Sequence, residues 1–158
     1  GGKETEVKES TSTILLSASL FNSKIISRTT QRLNFHSEAS RRFRHGLTAK
    51  RLFQALDGAI RMYRELGGEL TALTIVGEKG DPVKTVLLSL EKVNSLIGVE
   101  ISAEQIEKYL QSLGFHLEGV DTNSWEVTPP YYRLDINIEE DLVEEVARMY
   151  GYENIPSK

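Results

Sequence analysis

A six-residue stretch near the middle of the chain, GEKGDP at residues 77–82, divides the 158 residues into two parts. Its two glycines, one proline and three charged residues favour a linker, because glycine loosens the backbone and proline continues neither a helix nor a central strand. Each part then has the size of a small domain with a modest core. We therefore predict two units, one on each side of this linker.

Charge is distributed unevenly between the two parts. Residues 1–70 carry 12 Lys and Arg against 7 Asp and Glu, a formal charge of +5. Residues 71–158 carry 7 against 16, a formal charge of −9. A difference of this size favours two units that face different partners.

The composition excludes several classes of protein. The chain has no Cys, which rules out disulfides, thiolate zinc sites and a cysteine nucleophile, and its three His (His36, His45 and His116) are isolated. It has neither a glycine-rich phosphate loop nor an apolar run long enough to span a bilayer. With 39% hydrophobic and 27% charged residues and no signal peptide, we expect a cytoplasmic globular protein without membrane contact.

Helical and strand patterns alternate in the first part. A short apolar run at residues 14–21 is typical of a strand buried on both faces, and residues 70–76 also read as a strand. Residues 23–33 have helical spacing. Residues 49–66 carry an apolar stripe at steps of three and four, with Thr48 as a candidate N-cap.

The second part repeats the alternation with shorter elements. Strands are predicted at residues 85–90, 115–120 and 125–128, and helices at residues 91–97, 102–113 and 141–150. Runs of strands and helices without a regular βαβ order indicate an α+β fold.

Acidic residues concentrate around the start of the last predicted helix. Six carboxylates lie between residues 135 and 145, namely Asp135, Glu139, Glu140, Asp141, Glu144 and Glu145. Asp141, Glu144 and Glu145 are spaced i, i+3 and i+4, so they share one face of a helical turn. Asp135 precedes the helix and can fold back beside that turn. Oxygen donors grouped in this way suit Mg²⁺.

Two structural explanations account for the same residues. Carboxylates in the first turn of a helix are favoured by the helix dipole. Glu144 is also placed to pair with Arg148, four residues later. Spacing alone therefore leaves open whether the cluster binds a metal ion or only stabilises the helix.

A basic stretch, RRFR at residues 41–44, is a second candidate site. Arginine forks and an aromatic ring suit a phosphate and a base. The same arginines can instead pair with Glu38, and we favour that structural interpretation. We likewise interpret Trp125 as a core aromatic and the pair Tyr131-Tyr132 as a packed corner.

The end of the chain resembles a known family. The sequence RLDINIEEDLVEEVARMYGYENIP at residues 133–156 closely resembles the bacterial-type phenylalanyl-tRNA synthetase beta chain. Shorter matching pieces lie upstream: LIG at residues 96–98, LGF at 113–115, PP at 129–130, GGE at 67–69, SEAS-x-RF at 37–43 and LL-x-A-x-x-F at 15–21. The resemblance covers nearly the whole chain.

The resemblance implies an architecture and an activity. Residues 1–80 would be the C-terminal half of the beta chain's tRNA-editing domain, and residues 84–156 the following small α+β domain, which is similar to nucleic-acid-binding domains. The family enzyme attaches phenylalanine to its cognate tRNA with ATP and Mg²⁺, as an (αβ)₂ heterotetramer. Its aminoacylation site lies in the alpha chain. We therefore expect no catalytic or ATP-binding residue here, and a role in tRNA handling and subunit assembly.

The resemblance also bears on the acidic cluster. In this family the positions of Asp135, Asp141, Glu144 and Glu145 are assigned to a Mg²⁺ ion shared with the alpha chain. These are the four carboxylates that the spacing selects, so the resemblance favours the metal interpretation.

The sequence departs from the family pattern in the first part. Where the family usually has Leu-Leu-Glu-Ala, this chain has Ser17 in place of the Glu, and the usual Phe-Glu-Arg-Gly is FRHG at residues 43–46. In the family, that first Glu belongs to the pocket that recognises and removes mischarged tyrosine. A serine hydroxyl cannot act as a carboxylate, so we expect impaired editing.

A free-standing nucleic-acid-binding or protein-interaction module without enzymatic function is the alternative. The formal charge of −9 on residues 71–158 argues against strong nucleic-acid binding by that part, because affinity for nucleic acid depends largely on neutralising phosphates.

Overall fold

Three helices form the first part of the chain in the computed structural model, which describes residues 2–77 and 80–156. After a 3₁₀ turn at Lys3–Thr5 they are α1 (Ser23–Leu33), α2 (Glu38–Phe43) and α3 (Ala49–Glu65). Asn22, Ser37 and Thr48 cap them, each side chain accepting a hydrogen bond from a backbone N–H of the first turn. The predictions of helices at 23–33 and 49–66 and of the Thr48 cap are thus confirmed.

The two strands predicted in the first part are wrong for this structure. Residues 14–21 and 70–76 have no regular secondary structure, and neither segment pairs with another strand among the residues that the structure describes. A strand needs a neighbour for its backbone N–H and C=O groups. Without one, apolar side chains stay exposed, with Leu15 at 95% and Val76 at 91%.

The second part contains three strands and three helices. Its elements are β1 (Val86–Ser89), α4 (Leu90–Ile97), α5 (Ala103–Ser112), β2 (His116–Asp121), β3 (Ser124–Thr128) and α6 (Glu139–Tyr150), followed by a 3₁₀ turn at Tyr152–Asn154. The α+β prediction is confirmed. Gly98 adopts a left-handed φ of +80° directly after α4, and this conformation, which glycine adopts at no steric cost, ends the helix.

The strands form an antiparallel sheet in the order β1-β3-β2. On the central strand Trp125 and Val127 are buried while Glu126 between them is exposed, so one face of the sheet is covered. In register, Leu88 lies opposite Trp125 and Val86 opposite Val127.

The hydrophobic core lies between this sheet face and the helices α4, α5 and α6. Its fully buried side chains are Leu88, Val93, Ile101, Ile106, Leu110, Val127, Ile136, Leu142 and Val146. This cluster contains no residue of α1, α2 or α3. The core places α6, and with it the acidic residues, against β1 and α4.

Contacts near the start of α3 join the two parts. The Asp81 carboxylate accepts hydrogen bonds from the backbone N–H groups of Ala49 (2.7 Å) and Lys50 (3.0 Å). The Tyr131 hydroxyl is hydrogen-bonded to Gln54, and the Lys50 ammonium lies 4.8 Å from the Tyr131 ring centre. Within the predicted linker, Glu78 and Lys79 lie outside the described residues.

Candidate functional site

The acidic cluster surrounds the N-terminus of α6, and Asp141 serves that helix directly. The Asp141 carboxylate reaches back to accept hydrogen bonds from the backbone N–H groups of Asn137 (2.7 Å) and Ile138 (3.0 Å). These two N–H groups precede the helix and have no partner within it. Asp141 therefore fixes how the chain enters α6.

Glu139 and Glu140 connect α6 to β1 and α4 through a hydrogen-bonded contact and an ion pair. Glu139 accepts hydrogen bonds from the backbone N–H of Ser89 (2.8 Å) and from its hydroxyl (3.0 Å) at the end of β1. Glu140 forms an ion pair with Lys92 of α4 at 2.8 Å. Their hydrogen bond lowers the pKa of Glu140 and raises the pKa of Lys92.

Glu145 is the one buried carboxylate of the cluster, with 7% of the residue exposed. Its Oε1 accepts a hydrogen bond from Arg133 Nη2 at 2.8 Å, and its Oε2 accepts one from Arg148. A buried carboxylate without partners is costly, and here each oxygen has an arginine.

Asp135 shares Arg133 with Glu145. Arg133 donates to Asp135 through Nε, at 2.9 and 3.1 Å from the two oxygens, and through Nη2 at 2.5 Å. Hydrogen bonds from Arg133 hold the pKa of both Asp135 and Glu145 below its usual range. Both groups are therefore carboxylates at neutral pH.

The structure thus brings together two of the four candidate metal ligands. Asp135 and Glu145 meet at the Arg133 guanidinium, Asp141 is occupied by backbone N–H groups, and the Glu144 residue is exposed. Arg148 pairs with Glu145 rather than with Glu144 as predicted. Across residues 2–77 and 80–156, no three His, Cys, Asp or Glu side chains are positioned to hold a metal ion.

The chemistry of the donor set suits a hard cation, but its arrangement in the described residues does not form a site for one. All four candidates offer carboxylate oxygens, which Mg²⁺ accepts alongside water, and Asp135 and Glu145 already lie within hydrogen-bond distance of one nitrogen. If these carboxylates held Mg²⁺, the ion would supply a compact positive charge.

Sequence reasoning missed the role of Arg133. It identified this residue only as part of a motif, because nothing in the spacing shows that one arginine bridges carboxylates ten residues apart. The sequence does contain a weak indication that Glu145 is buried. Glu145 lies three residues after Leu142 and directly before Val146, which places it near the apolar side of α6.

The interpretation of Trp125 as a core aromatic is confirmed, and the other candidates have contacts within the chain although Tyr132 is 47% exposed. Glu38 forms ion pairs with Arg41 (2.8 Å) and Arg42 (3.0 Å). Trp125 is 3% exposed, and its indole N–H donates to Glu107 at 2.7 Å. The rings of Tyr131 and Tyr132 pack edge to face with 5.3 Å between their centres.

Comparison with known proteins shows what each part of the chain is similar to. A model of the B3/4 domain matches residues 1–68, and a model of the tRNA synthetase B5 domain matches residues 86–152. The chain is 41% identical to the phenylalanine--tRNA ligase beta subunit of Streptococcus pneumoniae serotype 4, over 99% of its length. The chain is thus similar, along almost its whole length, to a segment of phenylalanine--tRNA ligase beta subunits.

Other phenylalanine--tRNA ligase beta subunits match this chain to a similar extent. The beta subunits of Bacillus licheniformis and Geobacter sulfurreducens are 40% and 38% identical over 99% and 98% of this chain. The chain spans about one fifth of the length of each of these curated relatives. Among the residues that the structure describes, no helix is both long and apolar enough to cross a membrane.

Proposed function

We propose that this chain supports the attachment of phenylalanine to tRNA as part of a ligase beta subunit. The observation that carries the proposal is the match along the whole chain to proteins named phenylalanine--tRNA ligase beta subunit. In this proposal residues 1–80 are half of the tRNA-editing domain and residues 84–156 are the following domain. The chain contributes to tRNA handling and to assembly, and it has no aminoacylation site of its own.

The proposal includes partners and a location. The parent enzyme is an (αβ)₂ heterotetramer that works in the cytoplasm, binds tRNA and uses ATP in the alpha chain. The negative charge of residues 71–158 favours a protein as the partner of that part rather than nucleic acid, because excess negative charge opposes phosphate binding.

We also propose that Asp135, Asp141, Glu144 and Glu145 bind a Mg²⁺ ion together with groups of the alpha chain. Two features support this assignment. All four side chains are carboxylates, and Asp135 and Glu145 lie close enough together to pair with the same arginine, Arg133. Since Asp141 and Glu145 already have partners within the chain, we expect weak Mg²⁺ binding by the chain alone. Tight stoichiometric binding in calorimetry of the isolated chain would contradict a site shared with the alpha chain.

The function is tested on the full-length natural protein. It is co-expressed with the alpha chain of the same source, and the purified complex is assayed for charging of tRNA with radiolabelled phenylalanine. We expect copurification of equal amounts of both chains and phenylalanine-dependent charging. A full-length protein that is purified without an alpha chain, and that adds no activity to one, would indicate the stand-alone module instead.

A further inference from the structure

The two parts of the chain meet at a joint beside the start of α3. On one side lie the first turns of α3 and the loop before it, and on the other lie Asp81 of the predicted linker and the segment at residues 131–134. The hydrophobic core cluster contains no residue of α1, α2 or α3, so it does not extend into this joint. Polar contacts therefore decide how the two parts are held.

The Asp81 carboxylate makes the charged contact of the joint. Its two oxygens accept hydrogen bonds from the backbone N–H groups of Ala49 at 2.7 Å and Lys50 at 3.0 Å. A helix cannot satisfy these N–H groups within itself, and Thr48 caps only the next one, that of Arg51. Asp81 thus completes the cap of α3 from a position 31 residues after Lys50.

Tyr131 makes the second contact of the joint. Its hydroxyl donates a hydrogen bond to the side-chain oxygen of Gln54, and the Lys50 ammonium lies 4.8 Å from the centre of its ring. Lys50 therefore contacts Asp81 through its backbone and Tyr131 through its side chain. The linker and the segment at residues 131–134 are both held by the first turns of α3.

The joint is loosely packed between these contacts. A cavity of about 230 Å³ lies within it, and its walls include His45, Thr48 and Arg51 from the first part and Tyr132 and Leu134 from the second. A well-packed interior has few voids larger than a water molecule. Asp81 and Tyr131 rather than close packing therefore hold the two parts together.

Contacts of this kind open at a low cost in free energy. When the joint opens, its hydrogen bonds are exchanged for hydrogen bonds to water, so each one contributes only modestly to the closed arrangement. Domains that share a small polar interface move relative to one another by default. The core of the second part has no share in the joint, so it is unaffected when the joint opens.

We propose that the joint is a conformational latch, in which Asp81 and Tyr131 hold the two parts in one orientation. Releasing these two residues lets the parts reorient while the core of the second part stays intact. The latch depends neither on the magnesium site nor on ligase activity. A partner that binds one orientation more tightly shifts the latch by that difference in affinity.

Distances between spin labels on the two parts test the latch in the whole 158-residue chain. The chain has no Cys, so labels attach only to introduced cysteines. Arg64→Cys on α3 and Lys108→Cys on α5 change one exposed residue in each part. Double electron–electron resonance measures the distance between the labels. We expect one narrow distribution, and a broad one would overturn the inference.

Asp81→Ala in the labelled chain removes both acceptor oxygens of the latch. We expect the equilibrium constant for opening to rise at least about tenfold, because charge-assisted hydrogen bonds are lost, and a broad component to appear in the distances. Asp57→Ala is the matched control, since Asp57 is an exposed aspartate of α3 whose partner, Arg61, lies on the same helix. It should keep the narrow distribution. An unchanged Asp81→Ala, or equal broadening in both variants, would overturn the inference.

Tyr131→Phe covers the case in which Asp81→Ala unwinds α3, which circular dichroism would show as a loss of helix. It removes the hydroxyl that contacts Gln54 but leaves the cap of α3 and the aromatic ring in place. We expect the distances to broaden in the same direction as in Asp81→Ala, with unchanged helix content. A narrow distribution in Tyr131→Phe would overturn the inference, whatever Asp81→Ala shows.

Discussion

Glu145 combines burial with charge, and its neighbours explain how the fold accommodates it. The residue lies on the side of α6 that carries Leu142 and Val146, both fully buried. Desolvating a carboxylate is unfavourable, and the two arginine hydrogen bonds offset that cost. Glu145 therefore acts as a structural ion-pair centre in the metal-free chain.

We predict that Glu145→Gln destabilises the second part by about 1–3 kcal/mol, because it removes one oxygen acceptor and the charge that two arginines face. Trp125 is the only tryptophan of the chain and is buried, so its fluorescence in urea reports the loss. Glu144→Gln, one residue away and exposed, should stay within about 0.5 kcal/mol of the wild type. Equal effects of both variants would contradict the buried pairing.

The same carboxylate predicts a pH dependence in metal-free buffer. The pKa of Glu145 is lower in the folded chain than its usual value of 4.5, so the unfolded chain takes up this proton first as the pH falls. Its stabilisation is present above that usual value and is lost as the pH falls through the folded value. Between about pH 5 and pH 3 the wild type should lose stability faster than Glu145→Gln. Parallel curves from urea titrations would be the opposite result.

Ser17 carries a prediction about editing that depends on the proposed function. A serine lacks the carboxylate that the family uses in its pocket, so the full-length enzyme should hydrolyse tyrosyl-tRNA poorly. Ser17→Glu should accelerate deacylation of mischarged tRNA at least about tenfold, a gain of roughly 1.4 kcal/mol in transition-state stabilisation. Ser19→Glu is the neighbouring control and should change nothing. Robust editing by the wild type would contradict this prediction.

Local interactions of single residues were predictable where both partners are close in sequence. The pairs of Glu38 with Arg41 and Arg42 follow from helical spacing. The bridging of Arg133 to Glu145 was not predictable, because it depends on how the segment before α6 folds back onto that helix. The carboxylates were identified from the sequence, whereas their partners were not.

At the scale of elements, helices were predicted well because their signals lie within the helix. Thr48 and the apolar stripe of α3 are local, and so is the cap of α1 at Asn22. The apolar pattern of residues 14–21 indicates burial, but a strand forms only where another strand is available for pairing. The sequence of a segment shows its tendency to form a strand, but it does not show whether a second strand is available to pair with it.

The helix α5 gives a direct test of where stability resides. Leu110 of α5 is completely buried in the core, so Leu110→Ala should lower the free energy of unfolding by about 2–5 kcal/mol. Leu96 on α4 is 53% exposed, and Leu96→Ala should change it by less than about 0.5 kcal/mol. Urea unfolding followed by Trp125 fluorescence compares the two. Similar losses would show that the core is placed incorrectly.

At the scale of the whole molecule, the two parts differ in their capacity to fold alone. The hydrophobic core cluster lies entirely within residues 86–147, whereas the first part exposes large apolar side chains such as Leu15, Leu66 and Val76. Folding requires enough buried apolar surface to offset the loss of chain entropy. The described residues of the first part therefore leave much of their apolar surface uncovered.

We predict that excised residues 84–156 unfold cooperatively, while excised residues 1–77 do not. Circular dichroism on heating and hydrogen exchange of backbone amides measure this difference. Slow exchange in α1 and α3 of the excised first part would contradict the prediction.

The central claim is that this chain works as a segment of a phenylalanine--tRNA ligase beta subunit. The most direct measurement is the charging of tRNA with phenylalanine by a chimeric enzyme. In the chimera this chain replaces the corresponding segment of the Streptococcus pneumoniae beta subunit, and the protein is co-expressed with its alpha chain. The account predicts that the chimera copurifies with the alpha chain and charges tRNA with phenylalanine. A chimera that folds and binds the alpha chain yet charges no tRNA would contradict it, provided that the unmodified subunit is active in the same assay.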